Sequence, residues 1–135
     1  MDLKDEMQAL AKEITDGPSP EYMEALSTLR ELVNGLQKAI NVEHLEMALR
    51  WAHFRSSELR LSFAVRLSNQ VTYEPIFLVD IPDEGYPVVF DPYGTREVVV
   101  SCNDRDEIVK AFVEVVRRPE RMELLRSFVL RASHL

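Results

Sequence analysis

One cysteine, four glycines and three histidines are a thin supply of chemistry for 135 residues. Cys102 alone can form no internal disulfide and no multi-cysteine zinc site. The glycines, at positions 17, 35, 85 and 94, never cluster, so there is no loop of the kind that cradles phosphates. No G-x-S-x-G elbow occurs. No apolar run approaches the ~20 residues of a membrane-spanning helix. The start, MDLKDEMQALAKEITDG, is acidic and amphipathic and lacks the basic opening and apolar centre of a signal peptide. These absences lead us to expect a cytoplasmic protein with no membrane association. Positive charge is short too. Sixteen Lys and Arg stand against 23 Asp and Glu, a net charge of −7. No basic stripe interleaved with aromatics emerges, which argues against a nucleic-acid partner. The charge is also too mixed for a nucleic-acid mimic.

What is present is an ordinary globular composition, 46% hydrophobic and 29% charged. The length fits one domain over residues 1–135, large enough to bury a core without staples. Residues 1–18 read as an N-terminal helix able to move apart from the rest.

Strand signals dominate the middle of the chain. Glu58 to Ser68 reads ELRLSFAVRLS, with Leu59, Leu61, Phe63, Val65 and Leu67 on every second position. That alternation buries one face of a strand and wets the other. Val71 to Ile81, VTYEPIFLVDI, follows after a short loop. Antiparallel pairing sets Phe63 opposite Phe77, Leu61 opposite Val79 and Leu59 opposite Ile81, and a slip by one residue would oppose apolar to polar side chains. The same register sets Arg60 opposite Asp80 and Arg66 opposite Glu74. We expect exposed cross-strand ion pairs there rather than an anion-binding pair. Tyr86–Phe90 and Arg96–Ser101 read as third and fourth strands. Pro87 suits a strand edge or a strand start, and Asp91-Pro92-Tyr93-Gly94 has the residues of a type I turn. Connections this short imply an antiparallel meander.

Helical periodicity flanks the strands. Leu3, Met7, Leu10 and Ile14 form one stripe. After a Gly-Pro-Ser-Pro break, Ser19 and Pro20 suit the N-cap and first position of a helix carrying Tyr22, Leu26, Leu29, Val33, Leu36 and Ile40. That seam packs within the domain or, as an alternative, pairs two copies as a coiled coil. Asn41 reads as the cap of a further helix over Val42–Phe54, apolar on most of its surface. Asp104 and Glu107 have capping-box spacing ahead of Ile108, Phe112, Val115 and Val116. Pro119 separates that helix from a last one bearing Met122, Leu125, Phe128, Val129 and Ala132. The expectation is an α+β fold: N-terminal helices, a four-stranded antiparallel meander and two C-terminal helices, with helices packed on one sheet face.

Catalytic constellations are hard to assemble from these pieces. Cys102 precedes a helix N-terminus, a place that can favour a thiolate, but no base lies near it in sequence. His44 and His53 are nine residues apart and do not share a helix face. Asp80, Asp83 and Glu84 read as turn formers rather than as ligands of a hard cation. We expect no catalytic residues, no metal and no cofactor. Glu74 to Asp91 carries five acids and no Lys or Arg. Asp83, Glu84, Tyr86, Asp91 and Tyr93 therefore read as an acidic, tyrosine-bearing rim suited to a basic protein partner. The leading expectation is a non-catalytic protein-binding module of adaptor, chaperone or neutralising (immunity or antitoxin) type. One alternative is an enzyme or small-molecule binder whose site forms only in three dimensions, with His53, Asp91, Arg96 and Cys102 as candidate residues. The other is a homodimer built on the helix Tyr22–Ile40.

Overall fold

A computed structural model describes residues 2–16, 19–55 and 58–135, with the backbone alone at 53–55 and 58. The elements run α1 (Leu3–Thr15), α2 (Pro20–Ile40), β1 (Leu45–Arg55), β2 (Glu58–Leu67), β3 (Glu74–Pro82), β4 (Val88–Asp91), β5 (Val100–Cys102), α3 (Arg105–Val116) and α4 (Pro119–Ala132). The strands form one antiparallel sheet in chain order, β1-β2-β3-β4-β5. Helices α2, α3 and α4 pack against the sheet. The fold is α+β, with five strands where four were expected.

The additional strand is β1, which replaces the expected helix over Val42–Phe54. Leu45, Met47 and Leu49 alternate with Glu46, Ala48 and Arg50, and they face Leu67, Val65 and Phe63 of β2. Leu, Glu, Met and Ala favour helix, so local propensity concealed an alternation that sheet pairing enforces. Asn41 ends α2 rather than starting a helix. It takes the left-handed conformation (φ 49°), and its N–H donates to the Gln37 carbonyl. Gln37 then ties α2 to the outer edge of β1: its side-chain nitrogen donates to the Leu45 carbonyl at 2.7 Å, and its side-chain oxygen accepts from the Met47 N–H.

Pairing of β2 with β3 follows the expected register at Leu59–Ile81, Arg60–Asp80, Leu61–Val79 and Phe63–Phe77. A bulge beyond Phe63 then sets Ala64 opposite Pro75 and Val65 opposite Glu74. The expected Arg66–Glu74 pair is therefore not formed. Arg66 instead sits across from Glu46 of β1 and forms its ion pair there. The bulged Ile76 is fully buried, and Arg121 of α4 donates to its carbonyl at 2.7 Å. The later strands are shorter and shifted from expectation: β4 opens at Val88, directly after Pro87, and β5 holds Val100–Cys102 rather than Arg96–Ser101.

Between sheet and helices lies the core. Phe63, Phe77 and Phe112 form a mutual cluster with ring centroids 5.2–5.8 Å apart, extended to Phe90 through Phe77. Each such ring contributes about 1.5–3 kcal/mol by leaving water. Leu29 and Val33 of α2 are buried in the same core. The α2 seam is thus used within the chain at Leu29 and Val33. Helix starts behave as their residues dictate. The Ser19 hydroxyl accepts from the Tyr22 N–H, and the Asp104 carboxylate accepts from the Glu107 N–H. The Glu107 carboxylate accepts in return from the Asn103 N–H, one residue before the cap. No helix of the described residues is long and apolar enough to cross a membrane.

Candidate functional site

The residues expected to form one acidic rim are divided by β4. Its four residues, about 13 Å at strand rise, place Asp83, Glu84 and Tyr86 before one end and Tyr93 past the other. Asp91 is the last residue of β4 and is completely buried. It belongs to the interior, not to an exposed rim.

At the first end, the turn after β3 docks on the start of α2. The Gly85 N–H donates to the Pro82 carbonyl at 2.9 Å, and the Ser19 hydroxyl donates to the Asp83 carbonyl at 3.3 Å. Gly85 has φ +95°, and a Cβ there would come within 2.4 Å of the Glu21 and Tyr22 backbone, so only glycine allows this approach. The Tyr86 hydroxyl donates to the Glu24 carboxylate at 2.6 Å. Burial and then that bond hold the Tyr86 pKa above its ordinary value. The Tyr22 pKa is also raised, by burial and by Asp83. Docking thus adds Glu21 and Glu24 to Asp83 and Glu84. All four are exposed, and none forms an ion pair among the described residues. No pattern in the sequence joins Glu21 to this edge, because nothing local tells which turn will pack on that helix.

At the other end, Tyr93 lies over the start of α4. Its ring centre is 5.9 Å from the Arg118 guanidinium and 5.8 Å from that of Arg121, and its hydroxyl donates to Glu120 at 3.5 Å. Tyr93 therefore shares surroundings with arginines rather than with the acidic edge.

The sheet face away from the helices has its own structure. Arg60, Ser62 and Ala64 of β2 are buried there. Arg60 is not part of an exposed ion pair, as expected from the register alone. Its Nε and one terminal nitrogen grip Asp80 at 2.7 and 2.8 Å, and that terminal nitrogen also donates to Asp91 at 2.6 Å. The second Asp91 oxygen accepts from the Arg96 N–H at 3.1 Å. The Asp80 bond first, and Asp91 after it, raise the Arg60 pKa further against the opposing effect of burial. Beside this triad lies a cleft of about 230 Å³ lined by Arg50, Trp51, Ser62, Tyr73, Pro75 and Leu78 among others. The Arg50 and Arg66 guanidinium carbons sit 4.3 and 4.7 Å from the Tyr73 ring centre. The buried Ser62 hydroxyl has no hydrogen-bond partner among the described residues. Arg50, Ser62 and Leu78 are even-numbered positions, which the alternation marks only as the wet face, and Trp51 and Pro75 lie next to register shifts that no alternation predicts.

The remaining candidates do not converge. Cys102 is buried, and burial followed by Glu107 pushes its thiol up to about 12, which keeps it protonated at neutral pH. His44 stands in a turn at φ 69° with Nδ1 3.1 Å from the Ser68 hydroxyl. The His53 side chain lies outside the described residues. Among the described residues, no three His, Cys, Asp or Glu side chains gather as a metal site. Of the residues expected for a three-dimensional site, Asp91 and Arg96 meet, through a part-buried bond from the Arg96 backbone and away from Cys102.

The fold and these surfaces define an α+β domain with an acidic edge at one end of its sheet and, on its open face, a cleft lined in part by Arg50. Comparison with protein-family models, curated proteins and solved structures finds no match to this chain.

Proposed function

We propose that this protein is a non-catalytic protein-binding module that presents the acidic edge Glu21, Glu24, Asp83 and Glu84 to a basic partner. One observation carries the reading: four exposed carboxylates, with no ion pair among the described residues, are gathered where Gly85 and Ser19 dock the Asp83–Glu84 turn on the start of α2. A fixed acidic surface speeds encounter with a basic protein and selects against acidic ones. Tyr86 supports the edge through its bond to Glu24, whereas Asp91 and Tyr93 take no part in it. The test compares proteins retained from an extract of the native host by the wild type and by the double variant Asp83→Lys, Glu84→Lys, with thermal melting as a check on folding. A basic protein captured by the wild type should be lost by the variant, and its association rate should fall with added salt. Equal capture and equal on-rates would remove the edge from consideration.

A second reading rests on the Ser62 hydroxyl, which is buried without a partner among the described residues at a cleft that also holds Arg50 and two aromatic side chains. Such a cleft suits a small aromatic carboxylate, with Arg50 taking the charge and Ser62 donating. Trp51 is the only tryptophan and is 71% exposed, so it reports directly. Titration with benzoate should change its fluorescence in a saturable way, and Arg50→Ala should abolish the change. A response that persists in Arg50→Ala counts against this reading.

A further inference from the structure

Two apolar surfaces of this chain have no partner among the described residues. The first is the α1 stripe Leu3, Met7, Leu10 and Ile14, exposed 69, 51, 47 and 71%, on a helix with no buried residue. The second is a groove of about 490 Å³ between the C-terminal half of α2 and α4. Leu36 and Ile40 form one wall, Met122, Val129 and Leu130 the other, and Leu130 is 62% exposed. Helices α2 and α4 barely meet across it. We propose that α1 of one copy of this chain lies in the groove of a second copy, and that the exchange is reciprocal, giving a two-fold symmetric dimer.

Shape supports this occupant. The α1 stripe recurs at four-, three- and four-residue steps, the anchor pattern with which an amphipathic helix fills a groove. The walls offer matching ridges, Leu36 and Ile40 four apart and Met122, Leu125 and Val129 at three- and four-residue steps.

Charge supports it too. Residues 2–16 carry five acids and two lysines, a net −3, while residues 117–131 carry five arginines and two glutamates, a net +3. Arg126 lies on the groove itself.

Reach selects a second copy over the chain's own helix. From Pro20 to Leu36, α2 rises about 24 Å. Ile14 stands six residues before Pro20, and six fully extended residues span about 20 Å. Its own stripe would have to unwind the end of α1 merely to touch the near end of the groove. A second copy meets no such limit, and a two-fold axis fills both grooves at once.

The experiment is light scattering across a dilution series of the full chain, repeated for Leu10→Asp and Leu130→Asp. The wild type should pass from monomer to dimer mass as concentration rises. Each variant should lose the dimer at the same concentrations, with an unchanged cooperative melt in dilute solution, since neither side chain lies in the core. A second measurement fixes the occupant: Leu10→Cys and Val129→Cys, placed together on a Cys102→Ala background, should oxidise to a species of dimer mass. A wild type that stays monomeric at millimolar concentration, a Leu10→Asp variant that still dimerises, or a bridge closed within one chain would each overturn the proposal. The outcome is independent of the acidic edge, which lies at the opposite end of α2.

Discussion

Arg60 holds two carboxylates out of water with three hydrogen bonds, and Asp91 among them is wholly buried. Removing one member of such a group strands the others without a counter-charge, which costs far more than losing a surface pair. Arg60→Met should therefore lower unfolding stability by about 3–5 kcal/mol, measured by urea denaturation. Adding Asp80→Asn and Asp91→Asn to it should recover part of the loss. A cost like that of an exposed pair would mean that water reaches the carboxylates. One of the triad's two ion pairs, Arg60–Asp80, was legible in the sequence. The Phe63–Phe77 register fixed Arg60 opposite Asp80, but register on two strands says nothing about a third. Asp91 arrives through the pairing of Leu78 with Asp91 and Asp80 with Val89, which no local pattern announced. Its place beside a turn made it read as surface.

Among the elements, the turn Pro82–Gly85 positions the acidic edge. Gly85→Ala combines a positive φ with a Cβ driven into the Glu21 and Tyr22 backbone. The main chain cannot yield as a flexible side-chain tip would, so the turn must lift off α2. We expect a loss of stability of at least about 1–3 kcal/mol, read as a lowered melting temperature, with the largest rise in amide exchange at the start of α2. Exchange that stays unchanged there would show that the turn and the helix are not coupled. Elements with a single clear period were legible: β2, α2 and α3 match their patterns closely. The strand β1 was not, because two of its alternates that would otherwise mark a polar face are alanines, Ala48 and Ala52, and alanine favours a helix over a strand. The shift of Arg66 from Glu74 to Glu46 was hidden for a different reason. A bulge adds one residue without altering composition, and its stabilising contact, Arg121 to the Ile76 carbonyl, comes from 45 residues away.

At the scale of the whole molecule, helices cover one sheet face while side chains alone shield the middle of the other. The layer order could be read from the chain because helix and strand signals fall in separate blocks. Which surfaces would be left over could not, since that depends on how far α2 and α4 stand apart. The Gln37 amide gains a wider meaning in this setting. Its donor and acceptor meet the outward carbonyl and N–H at the head of β1, as a neighbouring strand would. The opposite border of the sheet is only three residues long. A growing ribbon of identical chains needs an open template at both borders, and here one is part-capped by a glutamine and the other cut short. The molecule is thus steered away from edge-to-edge polymerisation.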